Sequence, residues 1–221
     1  MAEYQQMNRN AALSLLALPI FAASYVAFAP GIAFAKTPLS SSLAPTVFRQ
    51  SGSFSVDPMH TFVGFDIGHL GLSRVQGRFD KLAGSIRVDT KNPDNSSVQI
   101  TLQTDSVDTN VAPRDADLRS VNFFEATKYP EMTFSSNHIH RKGKGYVAEG
   151  ILTLKGVVKP LTLSFKVYGP IKDPWGGNRV GILADPVTIH RSEFGMTYDA
   201  DSISDDVTVR ISLEATEDKA K

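Results

Sequence analysis

A two-residue alternation of apolar and polar side chains, recurring between residues 54 and 215, constrains the fold more than any other feature of the sequence. Val63, Phe65 and Ile67, for example, occupy alternate positions with glycine or aspartate between them. Because successive side chains of a strand point to opposite faces, this pattern is typical of β-strands with one buried face. The sequence therefore predicts an all-β fold.

Turn-forming segments separate these strands, at 92–95, 143–145, 155–156 and 173–178. Further strands are predicted near 131–140, 146–154, 160–168, 179–189 and 207–215. Short strands joined by hairpins predict an antiparallel barrel or sandwich. One segment, 113–120, lacks the alternation and begins with proline, which suits a first helical turn, so it predicts a short helix.

The alternation alone leaves open what fills the interior. Gly64, Gly68 and Gly77 stand at alternate strand positions, where they either leave space or permit sharp bends of the sheet. An eight-stranded barrel is just wide enough for packed side chains or for one small ligand. A filled core and a ligand cavity are therefore both compatible with the pattern.

The first 35 residues have the organisation of a secretory signal peptide. Arg9 precedes 19 positions without charge, at 11–29, and an Ala-Phe-Ala cleavage pattern follows at 33–35. We predict cleavage before Lys36. The alternative is a retained membrane anchor, because 19 residues approach the thickness of a bilayer. The predicted organisation is a signal peptide at 1–35, a linker or N-terminal arm at 36–52, a barrel domain at 53–216 and a charged tail at 217–221.

Composition excludes several classes of function. Lys and Arg together number 23, Asp and Glu together also number 23, and the sequence has no cysteine. The balanced charge gives no whole-chain basic surface for nucleic acid. The lack of cysteine excludes disulfide scaffolds, thiolate metal sites and cysteine nucleophiles. The sequence also lacks a Gly-x-Ser-x-Gly elbow, a phosphate loop, a dinucleotide fingerprint and a His-Glu-x-x-His helix.

Five histidines are the remaining candidates for catalysis or metal binding. His138 and His140 would share one face of a strand and could form half of a metal site, but no good third ligand is nearby, so we favour an exposed hairpin end. His60 and His69 are interpreted as hydrogen-bonded residues rather than as ligands or bases. We therefore predict no catalytic residue, no metal site and no cofactor.

Two further segments have two interpretations each. The charged residues Arg114, Asp115, Asp117 and Arg119 form either a polar latch or head-group site near a barrel mouth, or a helix whose charges are paired or solvated, which we favour. Trp175, the only tryptophan, lies in a turn. It either plugs one end of a barrel or contacts a ligand, and we favour the plug.

Ordered sequence blocks along the chain resemble a known family. They include VDPMH at 56–60, HLGLSRVQGRF at 69–79, LRSVNFF at 118–124, LTLKGVVKP at 152–160 and RSEFGM at 191–196. In this order they resemble the YceI-like family of bacterial polyisoprenoid-binding, lipocalin-like periplasmic proteins. Four positions depart from the family pattern: Asp117 stands where histidine is usual, Asn122 where aspartate is usual, His190 where asparagine is usual and Glu193 where aspartate is usual. These departures bear on the polar contacts to a ligand.

The resemblance implies an extended eight-stranded antiparallel barrel around a long apolar tunnel, in a protein of the periplasm. It implies an isoprenoid or another long-chain lipid as ligand and no established catalytic activity. Transient contact with a membrane is expected, and the oligomeric state stays open, with a homodimer as one alternative. Within the family pattern, the residues expected to line the tunnel are Phe65, Ile67, Leu70, Leu72, Phe79, Phe123, Phe124, Phe134, Phe194 and Met196.

Three functions remain to be distinguished. The favoured one is a lipid-binding or carrier protein. The second is an enzyme acting on a lipid or quinone-like molecule inside the same barrel, which needs an inward-facing acid or base; the candidates are His60, His69, Asp115 and His190. The third is a structural protein of the cell envelope whose barrel is filled with side chains. The presence of a cavity inside the barrel would distinguish the first two functions from the third.

Overall fold

The fold is taken from a computed structural model, which describes residues 45–46, 51–174 and 176–218. The predicted signal peptide and Trp175 lie outside the described residues, and so does most of the predicted linker. The elements are β1 (Gly52–Val56), β2 (Phe62–His69), β3 (Ser73–Phe79), β4 (Leu82–Val88), β5 (Ser97–Gln103), β6 (Val107–Asp108), α1 (Ala112–Arg119), β7 (Glu131–Lys142), β8 (Gly145–Leu154), β9 (Val157–Lys172), β10 (Asn178–Ala184), β11 (Val187–His190) and β12 (Ile203–Glu217).

These segments form the eight long strands of a closed antiparallel barrel. Strand β1 pairs antiparallel with β4, and β2 pairs antiparallel with β3. We therefore describe β1–β2 as one interrupted strand and β3–β4 as another, and the two form a long hairpin. By the same criterion β5–β6 and β10–β11 each form one interrupted strand. The last strand, β12, pairs with both β1 and β2 and closes the barrel. The predicted barrel and its single short helix are confirmed.

Two of the four interruptions within the described strands lie at prolines. Between β1 and β2, Asp57 accepts a hydrogen bond from the Met59 backbone N–H at 2.9 Å and begins a single 3-10 turn at Pro58. Proline has no N–H to give to the ladder, so strand pairing stops there. Pro186 separates β10 from β11 in the same way. Each break bends the strand without ending the barrel.

Four connections meet at one end of the barrel, here called the helical end: 70–72, 109–130 with α1, 155–156 and 191–202. The Leu70 N–H donates to the Ser202 carbonyl at 2.7 Å, which joins the first connection to the last. Lys155 Nζ donates to the Val121 carbonyl at 3.0 Å, and the rings of Phe123 and Tyr198 meet edge-on at 5.8 Å. The helical connection is therefore fastened across this end.

The two halves of the barrel differ in packing. Away from the helical end many inward side chains are fully buried, as for Phe54, Val167 and Val180, although Val98 there is half-buried and lines open space. Nearer the helical end, inward apolar side chains such as Phe65 and Val207 are only half-buried. Inward-facing residues can stay accessible only if they face open space, so the barrel is not filled throughout.

Candidate ligand-binding cavity

The open space is an apolar cavity of about 530 Å³ that all eight strands line. This volume lies within the usual range of small-molecule sites, about 300–1,000 Å³. Ser73 and Val88, at opposite ends of β3–β4, both line it. For a straight strand, 15 residues at about 3.3 Å each and a tilt of about 40° would span roughly 38 Å along the barrel axis, and the bend at residues 80–81 makes the actual length shorter than this. A cavity this long and this small in volume must be narrow.

The structure places most of the predicted tunnel residues in the wall of this cavity. Their contact with a ligand stays a prediction. The predicted residues that line it are Phe65, Ile67, Phe79, Phe123, Phe124, Phe134 and Met196.

Three predicted residues lie elsewhere, which corrects the predicted lining. Leu70 and Leu72 lie in the β2–β3 turn, where positive φ at Leu70 and Gly71 ends the alternation, and Leu72 is 84% exposed. Phe194 is buried, but in a small separate core with Leu152 and other side chains beside the helical end. The family pattern predicts apolar residues at these positions, but it does not show whether each side chain reaches the wall of the cavity.

Aromatic rings form one side of the wall. Phe79 lies between Phe65, at a centroid distance of 6.0 Å, and Phe124, at 5.4 Å. Phe124 belongs to the helical connection, so this row of rings joins the wall to the segment that covers its end. Gly77 leaves room for the row, because a Cβ there would lie 2.4 Å from Phe65 Cζ.

The charged cluster of α1 divides into a structural pair and a cavity-facing pair. Asp115 is buried and accepts hydrogen bonds from the Thr109 N–H and hydroxyl, and Arg119 donates to the carbonyls of strand β6 and its approach. Arg114 and Asp117, in contrast, both line the cavity. All four side chains are hydrogen-bonded within the chain, as the favoured interpretation expects, and the alternative of a head-group site at Arg114 and Asp117 stays a prediction.

Arg191 also touches the cavity, but its donors are used elsewhere. Its guanidinium is 3% exposed and donates to four backbone carbonyls of the 196–204 segment. Since guanidinium donors are its only polar groups, Arg191 acts as a clamp on the β11–β12 connection. It has little left to offer a ligand.

The histidines differ in what they contact. His60 Nδ1 lies 2.9 Å from an Asp57 carboxylate oxygen on the outer surface, as the sequence interpretation expected for a hydrogen-bonded residue. His190 lies 2.9 Å from Asp206 and is also outside the cavity. His69 lines the cavity, and within the described chain its imidazole makes no hydrogen bond. The hydrogen bond expected for His69 is not formed with any described residue, because the side chain faces the open space of the cavity.

One group of residues has the donor types of a metal site. Ligand atoms of Asp57, His60 and Glu214 lie within 4.8 Å of one another. The Arg179 guanidinium already lies there, at 2.6 Å from Asp57 and 2.8 Å from Glu214, and it also binds Asp173 at 2.7 Å. Its hydrogen bond, followed by that of His60, lowers the pKa of Asp57 to about 2. The group is an ion-pair network that joins three strands. The Arg179 guanidinium supplies the positive charge that a metal ion would otherwise supply.

His138 and His140 show no metal-binding arrangement either. Their rings lie 5.4 Å apart on the outer face of β7, and His138 lies 3.9 Å from Glu149. Among the described residues, no third ligand joins them in a metal-binding group. The described part of the chain contains no helix that is long and apolar enough to cross a membrane.

Comparison with known proteins agrees with this architecture. A family model described as the YceI-like domain matches residues 54–215. A UPF0312 protein of Pectobacterium carotovorum is 40% identical over 166 residues, which are 75% of this chain and 86% of that protein. The solved YceI protein of Campylobacter jejuni is 29% identical, with a TM-score of 0.61 over 67% of this chain and 88% of its own.

A more distant solved structure has the same fold. It is a polyisoprenoid-binding domain from Saccharophagus degradans, implicated in plant cell wall breakdown. It is 19% identical, with a TM-score of 0.60 over 75% of this chain and 98% of its own. At this identity the likeness concerns the fold alone.

Proposed function

The chain belongs to the YceI-like family, and we propose that it binds an isoprenoid or a similarly long apolar lipid inside its barrel. The observation that carries this proposal is the shape of the cavity: long, narrow and walled mainly by aliphatic and aromatic side chains. A single hydrocarbon chain fits such a space better than a compact ligand. The polyisoprenoid-binding domain of the same fold supports the assignment.

The energetics favour a chain-like ligand that needs few polar contacts. Each methylene transferred from water to an apolar wall contributes about 0.8 kcal/mol. The half-buried wall residues, such as Phe65 and Ile67, would lose their remaining exposure when a chain enters. Affinity would therefore grow with the length of the hydrocarbon until the cavity is full.

We propose further that the protein is exported to the periplasm and carries its lipid between membranes. The signal peptide predicted at 1–35 supports export. Transient contact with a membrane is supported by four exposed apolar side chains at the helical end: Leu70, Leu72, Val121 and Tyr198. They lie on three connections, 70–72, 109–130 and 191–202, which the Leu70–Ser202 hydrogen bond and the Phe123–Tyr198 ring contact join. Exposed apolar groups around the end of a lipid cavity suit the exchange of lipid with a bilayer.

Binding without chemical conversion is part of the proposal. Of the residues considered for an enzyme, His60 and His190 lie outside the cavity and Asp115 is engaged by Thr109. His69 alone of the four lines the cavity. If the protein is incubated with its own copurified lipid for hours, mass analysis should find no product. A product that the His69→Ala variant fails to form would establish an enzyme instead.

The decisive experiment is mass spectrometry of lipids that copurify with the protein from the cell envelope, compared between two variants of strand β2. Phe65 lines the cavity, whereas Phe62 lies on the outer face of the same strand. Phe65→Asp should remove most bound lipid, because a carboxylate in an apolar wall must be desolvated. Phe62→Asp should retain it. A folded Phe65→Asp protein with a full lipid load would refute the proposed site.

A further inference from the structure

The part of α1 that faces the cavity carries one donor and one acceptor without protein partners. Arg114 and Asp117 are three residues apart and therefore share a face of the helix, and both are half-buried. Arg114 uses Nε and Nη2 on Thr109, at 2.8 and 2.9 Å, and its Nη1 makes no bond within the described chain. Asp117 accepts through Oδ1 from Ser120 and Asn122, and among the described residues its Oδ2 accepts from none.

The β2–β3 hairpin adds uncharged polar groups to the same cavity. His69 and Ser73 pair directly across the ladder at the helical end, and both line the cavity. As far as the structure describes the chain, neither side chain makes a hydrogen bond. Apart from the exposed Arg87 at the opposite end, the unsatisfied polar side chains of the described cavity wall therefore lie where α1 and the hairpin meet it.

From this arrangement we infer that the cavity selects a lipid whose head group is uncharged and bears a hydroxyl. The inference rests on the proposed function and adds the chemical class of the ligand's polar end. A hydroxyl both donates and accepts, so it can donate to Asp117 Oδ2 and accept from Arg114 Nη1. A carbonyl or an ether can accept only, and it leaves the carboxylate unsatisfied.

The negative charge of Asp117 also lowers the affinity of the cavity for anionic head groups. Phosphate sites usually collect several unpaired cationic or N–H donors. At the helical end the cavity offers one cation with a free donor among the described residues, Arg114, with the carboxylate of Asp117 on the same helix face; Arg191 already gives its donors to backbone carbonyls, and Arg87 lines the opposite end of the cavity. A phosphate bound at the helical end would meet the like charge of Asp117, which is half-buried and therefore less screened than a surface charge.

The test compares three isoprenoids that share the same C20 tail and differ in the head group: geranylgeraniol, its methyl ether and its monophosphate. Squalene, which has no polar head group, is the hydrocarbon control. Delipidated protein, expressed from the full chain, is titrated with each by calorimetry. We expect geranylgeraniol to bind at least tenfold more tightly than the monophosphate and several-fold more tightly than the ether. Equal affinities, or a preference for the phosphate, would overturn the head-group inference and leave lipid binding intact.

Two variants identify the residue responsible. Asp117→Asn removes the charge and, if its oxygen keeps the bonds from Ser120 and Asn122, replaces Oδ2 by an amide donor. Monophosphate binding should therefore improve about tenfold, geranylgeraniol binding should weaken, and the preference for the alcohol should be lost. Asp201→Asn, an exposed acid at the same end of the barrel but outside the cavity wall, should change neither. An Asp117→Asn protein with unchanged discrimination would refute the role of Asp117. If none of the four compounds binds the wild-type protein, the proposed function itself fails and the head-group preference with it.

Discussion

The side-chain amide of Asn122 donates a hydrogen bond to Asp117 Oδ1 at 2.9 Å. Both positions are among those at which the sequence departs from the residues usual in the family it resembles. The departures are therefore physically linked. An amide at 122 can donate to a carboxylate at 117, which a second carboxylate could not do without a proton.

This pairing predicts a coupled response to substitution. Asn122→Asp should place two carboxylates together and destabilise the protein by about 1 kcal/mol, the range of a lost hydrogen bond. The double variant Asp117→His, Asn122→Asp should recover most of that loss, because a histidine can donate to the new aspartate. Urea unfolding of both single variants and the double variant measures the coupling. Strictly additive effects would show that the two side chains act independently.

The contact between Phe65 and Gly77 predicts a steric effect in the wall. A methyl group at 77 would lie 2.4 Å from Phe65 Cζ and 2.8 Å from Thr109 Cγ2, so the ring must move into the cavity. We expect Gly77→Ala to lower the free energy of unfolding by about 1–3 kcal/mol, as overpacking does, and to reduce the lipid load. Gly181→Ala is the matched control, since a Cβ there meets only the Tyr168 Cβ at 3.6 Å. If both variants unfold at the same urea concentration, the contact imposes no constraint.

The ion pairs of Arg179 predict how stability depends on pH. The pKa of Asp57 is lowered from 3.8 to about 2 in the folded protein, first by Arg179 and then by His60. Because the folded-state value is the lower one, the stabilisation is present above about pH 4 and is lost as the pH falls towards 2. At about 1.4 kcal/mol per pKa unit it amounts to about 2 kcal/mol.

The measurement is urea unfolding of wild type and Asp57→Asn at several values between pH 5 and pH 2. The wild-type stability should fall more steeply over this range than that of the variant. Asp94→Asn changes an exposed acid outside the network and should keep the wild-type slope. Parallel curves for wild type and Asp57→Asn would show that the network does not stabilise the fold.

Export makes a prediction about the mature N-terminus. The uncharged stretch at 11–29 and the Ala-Phe-Ala pattern at 33–35 predict cleavage before Lys36. N-terminal sequencing of protein from the cell envelope should therefore begin at Lys36. An Ala35→Arg variant should accumulate uncleaved, because a signal peptidase requires a small residue there. Wild-type molecules that keep Met1 would favour a membrane anchor.

The residue pattern by itself predicted antiparallel strands joined by hairpins and a short helix, and left a barrel and a sandwich open; the family resemblance decided for the barrel. The strands, hairpins and helix depend on local rules: side-chain alternation assigns each residue of β2 to a face, and proline or glycine marks where a strand bends or turns. The helix was predicted at 113–120 and lies at Ala112–Arg119. The same local rules placed Phe65 and Ile67 on the inward face.

Only the tertiary structure decided which inward faces meet open space. Alternation gives the same pattern for Phe54 in the packed half and for Phe65 in the open half, because the difference depends on how distant strands close the barrel. It also could not separate Asp115, turned towards Thr109, from Asp117, which faces the cavity two residues later. His69 shows the same limit: its strand was evident from the sequence, but the absence of a partner among the described residues follows from groups brought together across the whole fold.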